Sequence, residues 1–523
     1  MATLYIDTKQ RLQFTPPQTV GTLLQQAGVS FALPCGGQGK CGKCAAQVRG
    51  ALSAMTEGER AVLGEEKAQA GFRLCCRAVA EGDIYVTAPQ QSEHERAMHV
   101  QSSGVFYRKE TDGKEGLGFA VDIGTTTVVA YLYRLADGEL LAQSTAPNPQ
   151  RSFGADVISR MQHAMDGQGE ALAAAIRGCL AELFAGALKE AGFAVQDVRS
   201  AVIAGNTAML YFLLQLPVQS IAFAPFQQDE WFGRAVAAKT LQLGLAEDTP
   251  VYLVRSIGAY VGGDITAAAL SCLLDEREGA HLLIDIGTNG EMLLANGGTL
   301  TGCSTAAGPA LEGAGISCGT TASPGAVNRV DFENGTFRFT TIADAAPTGL
   351  CGTGVLDLLA ALLDAGIVDG TGRLLAEGHG FEQHIRTVDA LPAFCLPDTD
   401  IVFTSADVRA VQMAKAAIAA GIDTLLANAG IGAQALQTLF LAGGFGSFVR
   451  TESAARIGLI PESLAGKTVV LGNASGTGAA MMLLCDAQRE RSETLAKAAV
   501  CTDLASDMGF ITAYTDAMFF KTN

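Results

Sequence analysis

"GFAVDIGTTTVVAYLY" at residues 118–133 and "AHLLIDIGTNGEMLLAN" at residues 280–296 state one pattern twice. Each is an apolar run that ends in an aspartate, turns through Gly-Thr, and returns as a second apolar run, which predicts a buried strand and a hairpin. The internal duplication predicts two related α/β lobes facing each other across a cleft. In such a turn, backbone N–H groups and hydroxyls can cradle phosphate oxygens, while the aspartate holds Mg2+ directly or through water. The first copy offers Asp122, Gly124, Thr125, Thr126 and Thr127; the second offers Asp285, Gly287, Thr288, Asn289 and Glu291. One hairpin alone reads equally well as an ordinary β-turn. The repeat of the same arrangement in a second hairpin moves the balance toward phosphate binding.

Three further stretches follow in order: "VGGDITAAAL" (261–270), "LFLAGGFGSFV" (439–449) and "NASGTGAAMMLL" (473–484). With the hairpins they resemble, from about residue 118 onward, the actin, sugar-kinase and heat-shock-chaperone ATPase superfamily. The resemblance implies an ATP site, with these stretches as first connecting helix, adenosine motif and second connecting helix. It makes Gly443, Gly444 and Phe445 nucleotide contacts, the glycines letting the backbone approach purine and ribose. Asp264 either reaches the metal or activates water, or caps its helix. Glu312 in "GPALEGAG" (308–315) lies in a Gly-rich loop, and solvated loop residue is the favoured reading over one facing the nucleotide. "SADVRAVQMAKAAIAAGIDTLL" (405–426) reads as a capped amphipathic helix; a structural role is favoured for its Lys415 over a place near adenine. A Rossmann fold is excluded, because no G-x-G-x-x-G follows the early strands of this region.

Upstream, "CGGQGKCGKC" (35–44) and "RLCCR" (73–77) hold five of the thirteen cysteines. Cys35, Cys41 and Cys44 in one Gly-rich loop, with one distant thiolate, suit a 2Fe-2S cluster. Structural zinc is the alternative, but it favours two separated C-x2-C knuckles, and only Cys41 and Cys44 form one. The stretch resembles plant- and adrenodoxin-type ferredoxins. That resemblance makes Cys76, in the "RL-x-C" position, the fourth ligand and Cys75 its neighbour. The strands "TLYIDT" and "RLQFTP", a helix near Val20 to Ala27, and the strand "DIYVTAP" frame the cysteines as a small α+β unit. Cys303, Cys318 and Cys351 lie in Gly-rich loops and read as buried, unligated thiols rather than a second metal site.

The expected architecture is an α+β, ferredoxin-like (β-grasp) 2Fe-2S domain at residues 1–89 and a polar linker at 90–117. A two-lobed α/β ATPase of the actin/sugar-kinase/chaperone superfamily follows at 118–523, with lobe 1 about 118–278 and lobe 2 about 279–523. The formal net charge of -17, with no basic stripe, argues against nucleic acid and anionic membranes as partners. No signal peptide is visible, and no apolar run is read as long enough to span a membrane, so the expected location is the cytoplasm.

A ferredoxin domain joined to such an ATPase resembles one family closely, the reductive activators of corrinoid proteins. "NPQRSFGADVISRM" (148–161) and "GNTAMLYFLLQLP" (205–217) also look like its members. The linker here is shorter than in many of them. The resemblance implies an ATP-dependent transfer of one electron to the Co(II) corrinoid of a partner in an anaerobic, one-carbon methyltransferase system, restoring Co(I). It implies a 2Fe-2S cluster, ATP and Mg2+ as cofactors. The implied partners are a corrinoid protein, an electron-donating reductase or ferredoxin, and a second copy in a homodimer. Plant-type clusters sit near about -400 mV, and each 59 mV of deficit costs about tenfold for one electron, so ATP must remove an uphill step. No histidine lies in the D-x-H-x-x-G context that resembles cobalamin domains, which assigns the cobalt to the partner. Three alternatives stay open: an ATP-coupled donor to another low-potential enzyme, as in activators of 2-hydroxyacyl-CoA dehydratases; a redox-regulated small-molecule kinase; and a binding module that only switches conformation.

Overall fold

The computed structural model describes residues 1–7, 10–27, 29, 39, 42, 44–87, 107–446 and 448–521. Cys35, Cys41 and most of the 90–117 stretch lie outside the described residues.

The N-terminal unit comprises β1 (Ala2–Ile6), β2 (Gln10–Phe14), β3 (Gln18–Thr19), α1 (Val20–Gln26), β4 (Ala45–Leu52), β5 (Phe72–Leu74) and β6 (Val79–Val86). Its sheet runs β2-β1-β6-β4-β5, with β3 also on β6. β1 pairs parallel with β6 and antiparallel with β2. Helix α1 turns Val20, Leu23 and Leu24 into a core with Leu4, Leu74 and Ile84, all without exposure, so the sheet grasps one helix. β4 and the helix Glu57–Leu63 escaped the sequence reading. The alternation of β4 begins directly after the cysteine loop, with only Ala46 and Val48 to mark its inner face.

Each half of the remaining chain carries a six-stranded sheet. The first holds β7 (Leu117–Ile123), β8 (Thr127–Arg134), β9 (Leu140–Pro147), β10 (Val198–Gly205), β11 (Arg234–Ala237) and β12 (Pro250–Leu253), in the order β11-β12-β10-β7-β8-β9. Helix α2 (Gly169–Ala191) packs on β8 and β9, and α3 (Gly263–Ser271) leads out of this half. The second sheet holds β13 (Ala280–Ile286), β14 (Gly290–Asn296), β15 (Thr299–Thr305), β16 (Leu436–Ala442), β17 (Thr468–Gly472) and β18 (Val500–Cys501), in the order β17-β16-β13-β14-β15-β18. Five strands match in pairing sense: an antiparallel meander (β7-β8-β9; β13-β14-β15) joined to two parallel strands (β10, β12; β16, β17). The duplication seen in the hairpins therefore extends to the whole sheet. Two small three-stranded sheets are inserted between β15 and β16.

Helices α4 (Ser405–Asn428), α5 (Ala474–Leu484) and α6 (Met508–Ala517) complete the second half. α3 and α5 cross between the two sheets. Ala267, Leu270 and Ala479 to Leu484 join the core beside β8 and β10, while Ile265, Ala268, Ala269 and Ala474 join the core beside β13 and β16. At the crossing the backbones touch, since a Cβ on Gly478 would run into the carbonyl of Ala267. Small residues at such a crossing let two helices carry the relative position of two lobes.

The expectation that no apolar run reaches membrane-spanning length needs correction. The stretch Val157–Ala191 and α4 both pass on length and composition. They are 44% and 72% buried in their apolar windows, as core helices are.

Candidate functional site

The two hairpins bring their carboxylates into one cleft between the sheets. Asp122 ends β7 and accepts a hydrogen bond from Ser475 Oγ of α5 at 2.8 Å. Burial pushes its carboxyl up to about 6, against the Ser475 and Asn473 hydrogen bonds. Asp264, in the first turn of α3, is pushed up to about 7 by burial and by the charge of Asp122. Its Oδ1 accepts from the Ile265 amide at 2.8 Å, one of the free amides at the helix start, while the N-cap position itself is Gly262. Asp285 ends β13 and rises to about 8 through burial and the charges of Asp264, Asp122 and Glu312. No donor reaches the Asp285 carboxylate among the described residues. Glu291 opens β14, is 8% exposed, and rises well above the usual range through burial and the charges of Asp264 and Asp285.

Glu312 corrects the sequence reading. It is no solvated loop residue: it closes the turn Pro309–Glu312, and its Oε2 accepts from Thr288 Oγ1 at 3.2 Å. Burial raises its carboxyl, while the Arg151 charge from the other half pulls it down. Sequence reasoning missed this because the enclosure comes from residues far away in the chain.

Five carboxylates thus share one cleft with few donors, and an uncompensated set of this kind calls for a cation. Among the described residues, no group of three side chains converges tightly enough to hold a metal ion alone. The oxygen donors of this cleft are of the kind Mg2+ takes, one or two carboxylates together with substrate phosphates.

Two asparagines that sequence reasoning did not single out also reach the site. Asn206 caps the helix Thr207–Leu214 through the Ala208 amide, and its Nδ2 donates across the cleft to Glu291 Oε1 at 3.2 Å. Asn289 donates to the same oxygen at 3.4 Å. Asn148 accepts from the Gln150 amide and donates from Nδ2 to the Gly124 carbonyl at 2.8 Å. The signal for Asn206 was present in "GNT" ahead of an apolar run, a helix start.

The proposed adenosine motif differs from expectation at Phe445. Gly443 has φ 88°, and a Cβ there would strike the Asp285 carboxylate and the Ile286 carbonyl, so the motif's backbone runs close against the hairpin aspartate. Phe445, expected as a nucleotide contact, is 9% exposed and belongs to the core of the second half, with its ring against Gly352. At Gly444 an added Cβ would meet nothing within 4 Å. Lys415 takes its structural role: its Nζ donates to the Phe519 carbonyl at 2.6 Å and lies 4.7 Å from the Phe520 ring centre, tying the C-terminal segment to α4.

In the N-terminal unit, Cys44 and Cys76 meet with their sulfurs 3.3 Å apart. The Cys76 hydrogen bond pulls the Cys44 thiol down to about 7 against burial. Cys75 is fully buried, and burial together with the nearby Cys44 charge pushes its thiol up. Thiolate character and access therefore favour Cys76 over Cys75 as a ligand. A buried ion pair braces this segment: Arg73 donates to both Glu59 oxygens at 2.8 and 3.0 Å, and the Leu74 amide donates to Glu59 at 2.8 Å. The pair of adjacent sulfurs fits an iron-sulfur cluster, for which two further thiolates are needed. Cys303 and Cys351 are buried and Cys318 half-buried, and among the described residues they join no metal-holding group.

Comparison with known proteins agrees with this anatomy. A family model described as "2Fe-2S iron-sulfur cluster binding domain" matches residues 4–81. One described as "RACo middle region" matches 117–277, and one described as "C-terminal domain of RACo the ASKHA domain" matches 279–523. The corrinoid activation enzyme RamQ of Eubacterium limosum is 34% identical over 447 residues, which cover 82% of this chain and 74% of RamQ. The [Co(II) methylated amine-specific corrinoid protein] reductase of Methanosarcina barkeri is 27% identical over 307 residues, 53% of this chain and 54% of that protein. A solved structure titled as a reductive activator for corrinoid, iron-sulfur protein superposes with a TM-score of 0.70 at 27% identity, covering 99% of this chain and 98% of that one. Cysteines set for a ferredoxin cluster, a duplicated phosphate-hairpin fold and a relative matched over most of both lengths have one common explanation: this chain belongs to the family of reductive activators of corrinoid proteins.

Proposed function

We propose that this chain is an ATP-dependent reductive activator that delivers one electron from a 2Fe-2S cluster to the Co(II) corrinoid of a partner methyltransferase-system protein, restoring Co(I). The observation that carries the reading is the presence, in one chain, of the Cys44–Cys76 sulfur pair and a cleft of five carboxylates with too few donors. Residues 1–89 form the electron-carrying unit, 90–117 the linker and 118–523 the ATPase. Cys35, Cys41, Cys44 and Cys76 hold the cluster. When bound, the cluster supplies a low-potential electron, and Mg-ATP supplies the free energy that makes its delivery favourable.

The chain's own groups divide the remaining work. The loops at Gly124–Thr127 and Gly287–Asn289 take the phosphates from opposite sides. Asp122 and Asp285 would hold the Mg2+ that accompanies the phosphates, with Ser475 fixing Asp122. Burial and like charges raise Asp264 and Glu291, which makes each a stronger proton acceptor when ionised, and in that form they are placed to accept a proton from water as the nucleotide is hydrolysed. The Asn206–Glu291 bond already joins the two halves. A nucleotide between the hairpins biases that junction, and through α3 and α5 the relative position of the lobes. This couples nucleotide binding to the grip on the partner. An upstream reductase or ferredoxin reloads the cluster, and the ATPase part pairs as a homodimer in the cytoplasm.

ATP hydrolysis measured anaerobically tests the coupling. We expect stimulation by a corrinoid protein in its Co(II) form and none by the same protein in its methylated form. Hydrolysis indifferent to corrinoid proteins but raised by a sugar or carboxylate would move the function to a small-molecule kinase.

A further inference from the structure

The segment 148–161 packs behind the first hairpin and fastens it. All four carbonyls of the loop are taken: Gly124 O by Asn148 Nδ2 at 2.8 Å, Thr125 O by Arg160 Nη2 at 2.7 Å, Thr126 O by the Asn148 amide at 2.8 Å, and Thr127 O by the Gly124 amide at 2.9 Å. The amides of Thr125 and Thr126 have no partner among the described residues. In a trans peptide the C=O and the following N–H point in opposite directions. Holding the oxygens of Gly124 and Thr125 therefore turns the N–H groups of Thr125 and Thr126 to the other side, as a nest that accepts an anion.

Arg160 is an unusual choice for such a strut. It has no exposure, and no carboxylate lies within ion-pair distance of it among the described residues. Burial and the charge of Arg151 push its guanidinium down to about 9. Besides Thr125 it donates to the Gly154 carbonyl at 2.9 Å and to the Met209 sulfur at 3.6 Å. Asn148 Nδ2 shares that sulfur at 3.7 Å. A buried cation whose nearest counter-charge, Asp156, stays beyond ion-pair distance is costly, and lysine has one head where the guanidinium fork spans several acceptors. What the arrangement gains is a rigid loop with positive charge behind it, both of which favour a phosphate in front.

We propose that Arg160, assisted by Asn148 and the Met209 sulfur, is a positioning residue for the nucleotide: it presets the Thr125 and Thr126 amides to receive a phosphate. This rests on the ATP reading of the cleft.

The test measures binding of Mg-ATP and of adenosine to the full chain by calorimetry, for wild type, Arg160→Lys and Asn148→Asp, with the melting temperature of each without nucleotide. Asn148→Asp is nearly isosteric and replaces the donor to Gly124 O with an acceptor, so it covers the case in which Arg160→Lys fails to fold. The expected result is a loss of about ten- to a hundredfold in Mg-ATP affinity in folded variants. Adenosine, which lacks phosphate, should bind as it does to wild type. A merely structural role would lower both affinities together, or only the melting temperature. Folded variants that bind Mg-ATP as tightly as wild type would overturn the proposal. Wild type that binds no ATP would instead overturn the reading beneath it.

Discussion

Asp285→Asn is expected to lower ATP-dependent Co(I) formation by about a hundredfold or more while making the nucleotide-free protein more stable. The activity loss follows from removing a carboxylate that orients the cation on the transferring phosphate, a contribution of the size found for preorganised electrostatic groups. The stability gain follows from the same geometry. Asp285 is enclosed, lacks a donor, and faces Asp264, Asp122 and Glu312. The pH dependence has a definite sign. Its carboxyl lies near 8 in the folded chain against an ordinary value of 3.8, so between those limits the folded state binds more protons than the unfolded one. Stability of the nucleotide-free protein should therefore fall as pH rises from about 4 to about 8, then level off. Asp122 and Asp264, raised to about 6 and about 7, add to the same slope. Thermal unfolding across this range should show a shallower fall in Asp285→Asn, with a gain of about 2–4 °C for each kcal/mol recovered. A variant less stable than wild type at pH 8, without nucleotide or Mg2+, would contradict the picture of an uncompensated carboxylate. A function that keeps a destabilised cleft is a familiar reason for such a trade.

Cys44→Ser and Cys76→Ser should each abolish the cluster's visible absorption and with it all electron delivery, whereas Cys75→Ala should retain both. The contrast is set by the 3.3 Å sulfur pair on one side and a fully buried thiol on the other. Loss of a ligand is expected to exceed the roughly 10–100-fold that removal of an outer contact to a metal site costs. Cys75→Ala removes only one small buried group, at about 1 kcal/mol of stability. The measurement is the absorption spectrum and iron content of anaerobically purified variants. Loss of the cluster in Cys75→Ala with retention in Cys76→Ser would reverse the ligand assignment.

The parts of the molecule legible in the sequence were those carried by local pattern. The Asp-x-Gly-Thr turns recur with apolar runs on both sides, and β7-β8 and β13-β14 follow from them. The small-residue runs around Ala267 and Gly478 mark the helices that cross. What could not be read was set by distant chain segments. Glu312 looks like any acid in a glycine loop until the fold brings Thr288 onto its carboxylate and the charge of Arg151 within reach. Phe445 stands next to Gly443 and Gly444 in sequence, yet the short helix Gly443–Gly446 turns its ring into the core. Arg160 lies on an amphipathic helix at a position where periodicity predicts an apolar residue, and only the fold reveals the carbonyls it serves.

The central claim joins two sites through one electron, and the visible spectrum of cobalt reports on that electron directly. The protein, reduced anaerobically, is mixed with a corrinoid protein in the Co(II) state, with and without Mg-ATP, and Co(I) absorption is followed over time. Co(I) should appear only with Mg-ATP, and should fail to appear in Cys44→Ser and in Asp285→Asn. Co(I) formed equally well without nucleotide, or none formed with cluster and ATP both bound, would contradict the account.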